Sequence, residues 1–161
     1  MGSIVIGISD MNVAKGDNSV ITYALGSCVG VAMYDTSRKI AGLAHILMPS
    51  SKDVRDSNIN LMKYADTAVP ELLRRMERAG ASSFNINAKI AGGAQMFSMG
   101  NASTQFNIGE RNVQMVRDAL QKLRIRIVAE DVGANYGRTV EIFAATGVYR
   151  IKAIAKGTKD I

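Results

Sequence analysis

Tryptophan is absent from this 161-residue chain, and cysteine and histidine occur once each. One cysteine cannot close an internal disulfide. Together with one histidine it cannot furnish a tetrahedral Cys/His zinc site either, so disulfide scaffolds and structural zinc domains are excluded and no metal is expected. No window approaches the ~18 apolar residues of a membrane span, and MGSIVIGISD has no basic segment leading into an apolar stretch. A cytoplasmic chain without direct membrane insertion is expected, its thiol kept reduced. Aromatics are only 6% of residues, too sparse for a base-stacking platform, and no run of five or six like charges accompanies the net charge of +6. The basic residues Arg74, Arg75 and Arg78, then Arg117, Lys122, Arg124 and Arg126, are dispersed and interrupted by acids. Nucleic acid is therefore not an expected partner, and an acidic protein surface accounts for the charge equally well.

What is present fits one globular domain spanning residues 1–161: 47% hydrophobic residues, 15 glycines, and no linker, low-complexity tract or internal repeat. Ser3–Ile8 reads as a strand, followed by a loop through Lys15-Gly16-Asp17-Asn18, and Ser19–Leu25 reads as a second strand. Val29–Tyr34 and Lys39–Met48 flank the polar turn Asp35-Thr36-Ser37-Arg38 and predict a hairpin. Val69, Leu72, Leu73 and Met76 fall at helical spacing, predicting a helix from about Asp66 to Ala79 with Pro70 near its start and Gly80 as its stop. Phe84, Ile86, Ala88 and Ile90 alternate with polar residues, a strand pattern ending at Gly92-Gly93. Val113, Val116, Leu120 and Leu123 mark a second helix over 108–123. Ile125–Val132 returns to strand character, and Arg138–Ala144 and Val148–Ile154 form a last hairpin around Ala145-Thr146-Gly147. Strands that mix hairpins with two helical crossovers imply an α+β fold, a layered sandwich of antiparallel or mixed sheets packed with two long helices. No Rossmann fingerprint is present, and Gly92-Gly93 lacks the Lys-Ser/Thr of a phosphate loop, so it reads as a tight turn and no cofactor is expected. The nine methionines, among them Met62, Met76, Met96, Met99 and Met115, read mostly as core packing.

Two readings of Cys28, in LGSCVG, stand side by side: a small buried filler, or a nucleophile displayed on a glycine-flanked turn. His45, the single histidine, lies on the other arm of the first predicted hairpin. A hairpin centred between Thr36 and Ser37 sets Cys28 directly opposite His45, with Cβ atoms ~4.5–5.5 Å apart on one face. A bulge at Gly30 or Gly42 would separate them. If they meet, imidazole takes the thiol proton or holds a thiolate as an ion pair, the pattern of acyl-transfer catalysis. An ion pair would lower the cysteine pKa and let alkylation begin below neutral pH. Backbone N–H groups around Gly26, Ser27 and Cys28 are expected oxyanion donors, because the flanking glycines permit close backbone approach.

The stretches LGSCVGVAMYD, GLAHILMP, KYADTAV, AKIAGGAQMF, NIGERN and AEDVGAN, in this order, closely resemble the CheD family of chemoreceptor glutamine deamidases, from about Val5 to Lys156. The resemblance implies hydrolysis of selected glutamine side-chain amides on methyl-accepting chemotaxis receptors, with possible hydrolysis of receptor methyl esters. It places the family's nucleophile on Cys28, its histidine on His45 and its catalytic threonine on Thr22, acting through hydroxyl or carbonyl. It also implies a chemotaxis phosphatase of the CheC type as partner. A non-catalytic adaptor that binds receptor or phosphatase is the alternative. The stretch Ser98–Gln105 is longer than the family pattern leads one to expect.

Overall fold

The computed structural model describes residues 2–96 and 107–161. Within them ten strands form two mixed five-stranded sheets, and two helices pack on one of these. In chain order the elements are β1 (Ser3–Ile6), β2 (Asp10–Lys15), β3 (Ser19–Leu25), β4 (Val29–Asp35), β5 (Ile40–Ile46), α1 (Ala65–Arg78), β6 (Asn87–Gly92), α2 (Ile108–Lys122), β7 (Ile127–Val132), β8 (Arg138–Phe143), β9 (Tyr149–Ala153) and β10 (Gly157–Asp160). The inner sheet runs β2-β5-β4-β6-β7 and the outer sheet β1-β3-β8-β9-β10. The expected α+β architecture is what the chain adopts.

Side-chain alternation along β4 and β5 shows why the inner sheet is buried on both faces. Val29, Val31, Met33, Ile40, Ala44 and Ile46 join Val69, Leu72, Met76, Val113, Val116 and Leu120 in the core beneath the helices. Cys28, Ala32, Ala41 and Leu43 join Val20, Leu25, Val140, Ile142 and Tyr149 in a second core between the sheets. A sheet covered on both sides must carry near-continuous apolar strands. The intervening small residues bring the layers together. Gly42 lies where a Cβ would press on Leu72 and Met76, and Gly30 where one would press on the Tyr149 hydroxyl, Leu25 and Val140.

The predicted hairpin forms, but its centre lies one residue further along. Asp35 pairs with Ile40, Gly30 with His45 and Val29 with Ile46, without interruption. The shift comes from Asp35, which is fully buried and ends the ladder rather than opening the turn. Its carboxylate accepts the N–H groups of Arg38 (3.3 Å) and Ser82 (3.0 Å), and Lys39 adopts a left-handed φ of 53° to return the chain.

Other boundaries moved for local reasons. Asp10–Lys15, expected as loop, is an edge strand against β5, and its exposure does not follow the strict alternation that makes a strand legible. Helix α1 begins at Ala65, so Pro70 lies inside it rather than at its start, while Gly80 does stop it at φ 110°. Phe84 sits on a 3-10 turn, Ser83–Asn85, and is 97% exposed, so the strand begins only at Asn87. β10 was not expected at all; all four of its residues are exposed. Of the methionines, Met11, Met33 and Met76 are buried and Met62 and Met115 pack at the margin, but Met96 is 44% exposed. Met99 and the Ser98–Gln105 stretch lie outside the described residues.

Candidate active site

Thr22 reaches the site because β3 points alternate residues toward the inner sheet, Val20 and Thr22 both lying fully buried. Immediately afterwards β3 carries an extra residue: Thr22 pairs with Val140 but Leu25 with Arg138, and Ala24 takes a φ of 59°. This bulge, rather than one at Gly30 or Gly42, turns the chain into the Gly26-Ser27-Cys28 loop.

Across the interface, His45 is held between two ladder partners, Asp10 of β2 and Gly30 of β4. Asp10 spends its carboxylate on the N–H groups of Met11 (2.8 Å) and Gly7 (3.3 Å). Gly30 contributes no side chain. The imidazole is fully buried, and its Nδ1 lies 2.7 Å from Thr22 Oγ1. The sequence left open whether Thr22 acts through hydroxyl or carbonyl; the contact is through the hydroxyl.

That contact fixes the tautomer. Thr22 Oγ1 also lies 3.1 Å from the Ile6 carbonyl, which can only accept, so the single hydroxyl proton goes to Ile6. Nδ1 must then donate to Oγ1, leaving Nε2 with its lone pair free. Nε2 is buried and has no hydrogen-bond partner among the described residues.

Cys28 lies two residues before Gly30 and so on the same side of the inner sheet as His45. With the observed register it is the diagonal neighbour of His45 rather than its direct opposite, a separation that is typically ~7–8 Å between backbones. It is 6% exposed. Burial pushes its thiol above the ordinary value, opposed only partly by its own backbone N–H. Burial also pushes His45 down to about 4. Burial thus favours the uncharged form of both groups near neutral pH, which speaks for proton transfer over a resting ion pair, the two arrangements the sequence left open.

Three tethers hold the cysteine loop by its carbonyls. Ala94 N–H donates to Gly26 O (2.9 Å), Gly93 N–H to Cys28 O (2.8 Å), and the Asn112 amide to Ser27 O (3.0 Å). Two of these come from the turn after β6, so Gly92-Gly93 is more than a tight turn. At Gly92 (φ 106°) a Cβ would collide with the Cys28 carbonyl oxygen, and at Gly93 (φ 63°) with Val113. A peptide unit is planar and trans, so its N–H points opposite to its carbonyl. Holding Gly26 O and Ser27 O thus aims the N–H groups of Ser27 and Cys28 away from the tethers. The Gly26 N–H belongs to the preceding peptide and shares neither restraint. Asn112 itself escaped the sequence reading, although it falls on the buried stripe Gly109, Asn112, Val113, Val116, where a polar residue is out of pattern.

The fold defines an α+β domain in which Thr22 and His45 meet between two sheets, with Cys28 in the same layer. Residues 47–153 match the family model described as CheD chemotactic sensory transduction. The chain is 43% identical to a probable chemoreceptor glutamine deamidase CheD of Lachnoclostridium phytofermentans, covering 100% of both chains. It is 43% identical to the chemoreceptor glutamine deamidase CheD of Halalkalibacterium halodurans, covering 98% of both. A probable chemoreceptor glutamine deamidase CheD of Clostridium botulinum is 44% identical over 98% of this chain and 97% of its own. The chain belongs to the CheD family. The family match begins just after His45, but the full-length relatives span Thr22, Cys28 and His45 as well.

Proposed function

We propose that this protein, as one domain, hydrolyses glutamine side-chain amides on methyl-accepting chemotaxis receptors to glutamate and ammonia, through a thioester on Cys28. The observation that carries the reading is the Thr22–His45 contact, which leaves a bare Nε2 on the cysteine's side of the sheet. Because both partners rest neutral, His45 acts as a general base during attack and not as the cation of a preformed ion pair. The Cys28 sulfur forms a bond to the amide carbon as its proton passes to Nε2. The carbonyl oxygen takes up negative charge and is met by the N–H groups of Ser27 and Cys28. The imidazolium returns its proton to the departing nitrogen as the carbon–nitrogen bond breaks, releasing ammonia. Water then gives a proton to Nε2 and attacks the thioester, and the thiol leaves with that proton restored. Thr22 keeps the ring in its Nδ1–H tautomer throughout.

A receptor methyl ester passes through the same thioester with methanol as leaving group, so esterase activity belongs to this reading. The family resemblance supports a chemotaxis phosphatase of the CheC type as regulator and a cytoplasmic setting. Among the described residues no helix is long and apolar enough to cross a membrane.

The test is incubation with receptor cytoplasmic fragments and mass spectrometry of glutamine-to-glutamate conversion. Wild type should convert selected glutamines and Cys28→Ala none, with both proteins folded. Conversion by Cys28→Ala, or none by wild type on any cognate receptor, contradicts the reading.

A further inference from the structure

Asn112 is fully buried on α2, and its amide nitrogen donates two hydrogen bonds, to Ser27 O (3.0 Å) and to Leu47 O (3.0 Å). The orientation of the carboxamide is fixed by its partners, since two carbonyls require the nitrogen to face them. Its Oδ1 is buried with no hydrogen-bond partner among the described residues. The two carbonyls belong to the residue before Cys28 and the second residue after His45. No other side chain among the described residues bonds to both of these segments.

We infer that Asn112 is a positioning residue for the reaction, acting on both halves of the site at once; the inference rests on the proposed deamidase reading. By holding Ser27 O it sets the plane of the Ser27–Cys28 peptide, and hence the direction of the Cys28 N–H that meets the developing oxyanion. By holding Leu47 O it fixes the end of β5 against the cysteine loop, and with it the spacing between Cys28 and His45 Nε2. The support beneath Asn112 is equally tight: Gly109, one turn earlier, packs its bare Cα against the carbonyls of Gly93 and Ala94. The same turn supplies the other two tethers of the loop.

The test compares Asn112→Ala with wild type in two reactions of the same protein. Deamidation develops an oxyanion; alkylation of Cys28 by iodoacetamide does not. The inference predicts a fall in kcat of about 10²-fold, the cost of misplacing a reacting group by an ångström. KM should stay within about twofold, since substrate binding is untouched. The rate and pH onset of alkylation should match wild type. If Asn112→Ala is insoluble, Asn112→Ser, too short to bridge both carbonyls, takes its place with the same expectations. An unchanged kcat overturns the inference. So does a parallel change in alkylation, above all a faster reaction as the buried thiol becomes exposed, which would mean that Asn112 merely holds the fold. Cys28→Ala run alongside separates the two levels: if it still deamidates, the underlying reading fails, whereas its inactivity beside a fully active Asn112→Ala removes only the role of Asn112.

Discussion

The two sheets have five strands each and are buried very differently. In the inner sheet β5 is buried at all seven positions and β4 at six, because helices cover one face and the outer sheet the other. In the outer sheet β8 alternates buried and half-buried residues, and β10 is exposed throughout. Thr22 comes from the outer sheet and His45 from the inner one, so their contact exists only where the two faces meet. The interface that supplies the apolar core also strips water from the thiol and the imidazole, which is why both rest neutral. In the proposed reading the chemistry thus belongs to the layer between the sheets, and the rim is nearly silent.

The sharpest way to break that contrast is His45→Ala. It should lower deamidation by about 10²–10⁴-fold, the usual contribution of a positioned base. Because burial, and not a neighbouring cation, sets the Cys28 thiol, the onset of iodoacetamide alkylation should stay at or above the free-cysteine range of about 8.5 in both proteins. An onset below neutral pH in wild type that rises in His45→Ala would restore the ion pair.

Acid stability probes the same layer without substrate. His45 titrates near 4 in the fold and near 6.5 when unfolded, so below pH 6.5 the unfolded chain takes up a proton that the folded chain refuses. Stability should therefore fall as pH drops from about 6.5 to about 4, by roughly 3 kcal/mol from this one group, and this contribution then levels off. Urea melts at steps across that window read the slope. His45→Ala should flatten it.

At the rim, Phe84 is almost fully exposed, and Phe84→Ser should change stability by no more than about 0.5 kcal/mol and leave deamidation intact. A larger loss in the melting curve would show that the periphery, and not the interior alone, holds the fold together.

The same contrast governs how much was legible in the sequence. Helical spacing at Val69, Leu72 and Met76, or at Val113, Val116 and Leu120, reports a face buried on one side only, and both helices were read close to their bounds. Cys28 and His45 could be placed on one face because parity survives an even shift, although the register itself depended on where Asp35 spends its carboxylate. The Thr22 position came from the family resemblance; no local pattern announces that β3 faces β5 across an interface. Proton transfer and ion pair stayed open in the sequence because burial is a property of the packed layers. Phe84 was read as part of a strand because its alternation with Asn85 and Asn87 is real, while the 3-10 turn that exposes it is set by the chain's exit from α1.

His45 is the only histidine, so the protonation of its two ring nitrogens can be observed without ambiguity. Nitrogen-15 NMR of the uniformly labelled protein at pH 7 should show a neutral ring, with Nδ1 bearing the proton and Nε2 unprotonated, and should show no titration until about pH 4. A ring that is cationic at pH 7, or neutral with the proton on Nε2, would rule out the Nδ1–H tautomer and with it His45 as the base.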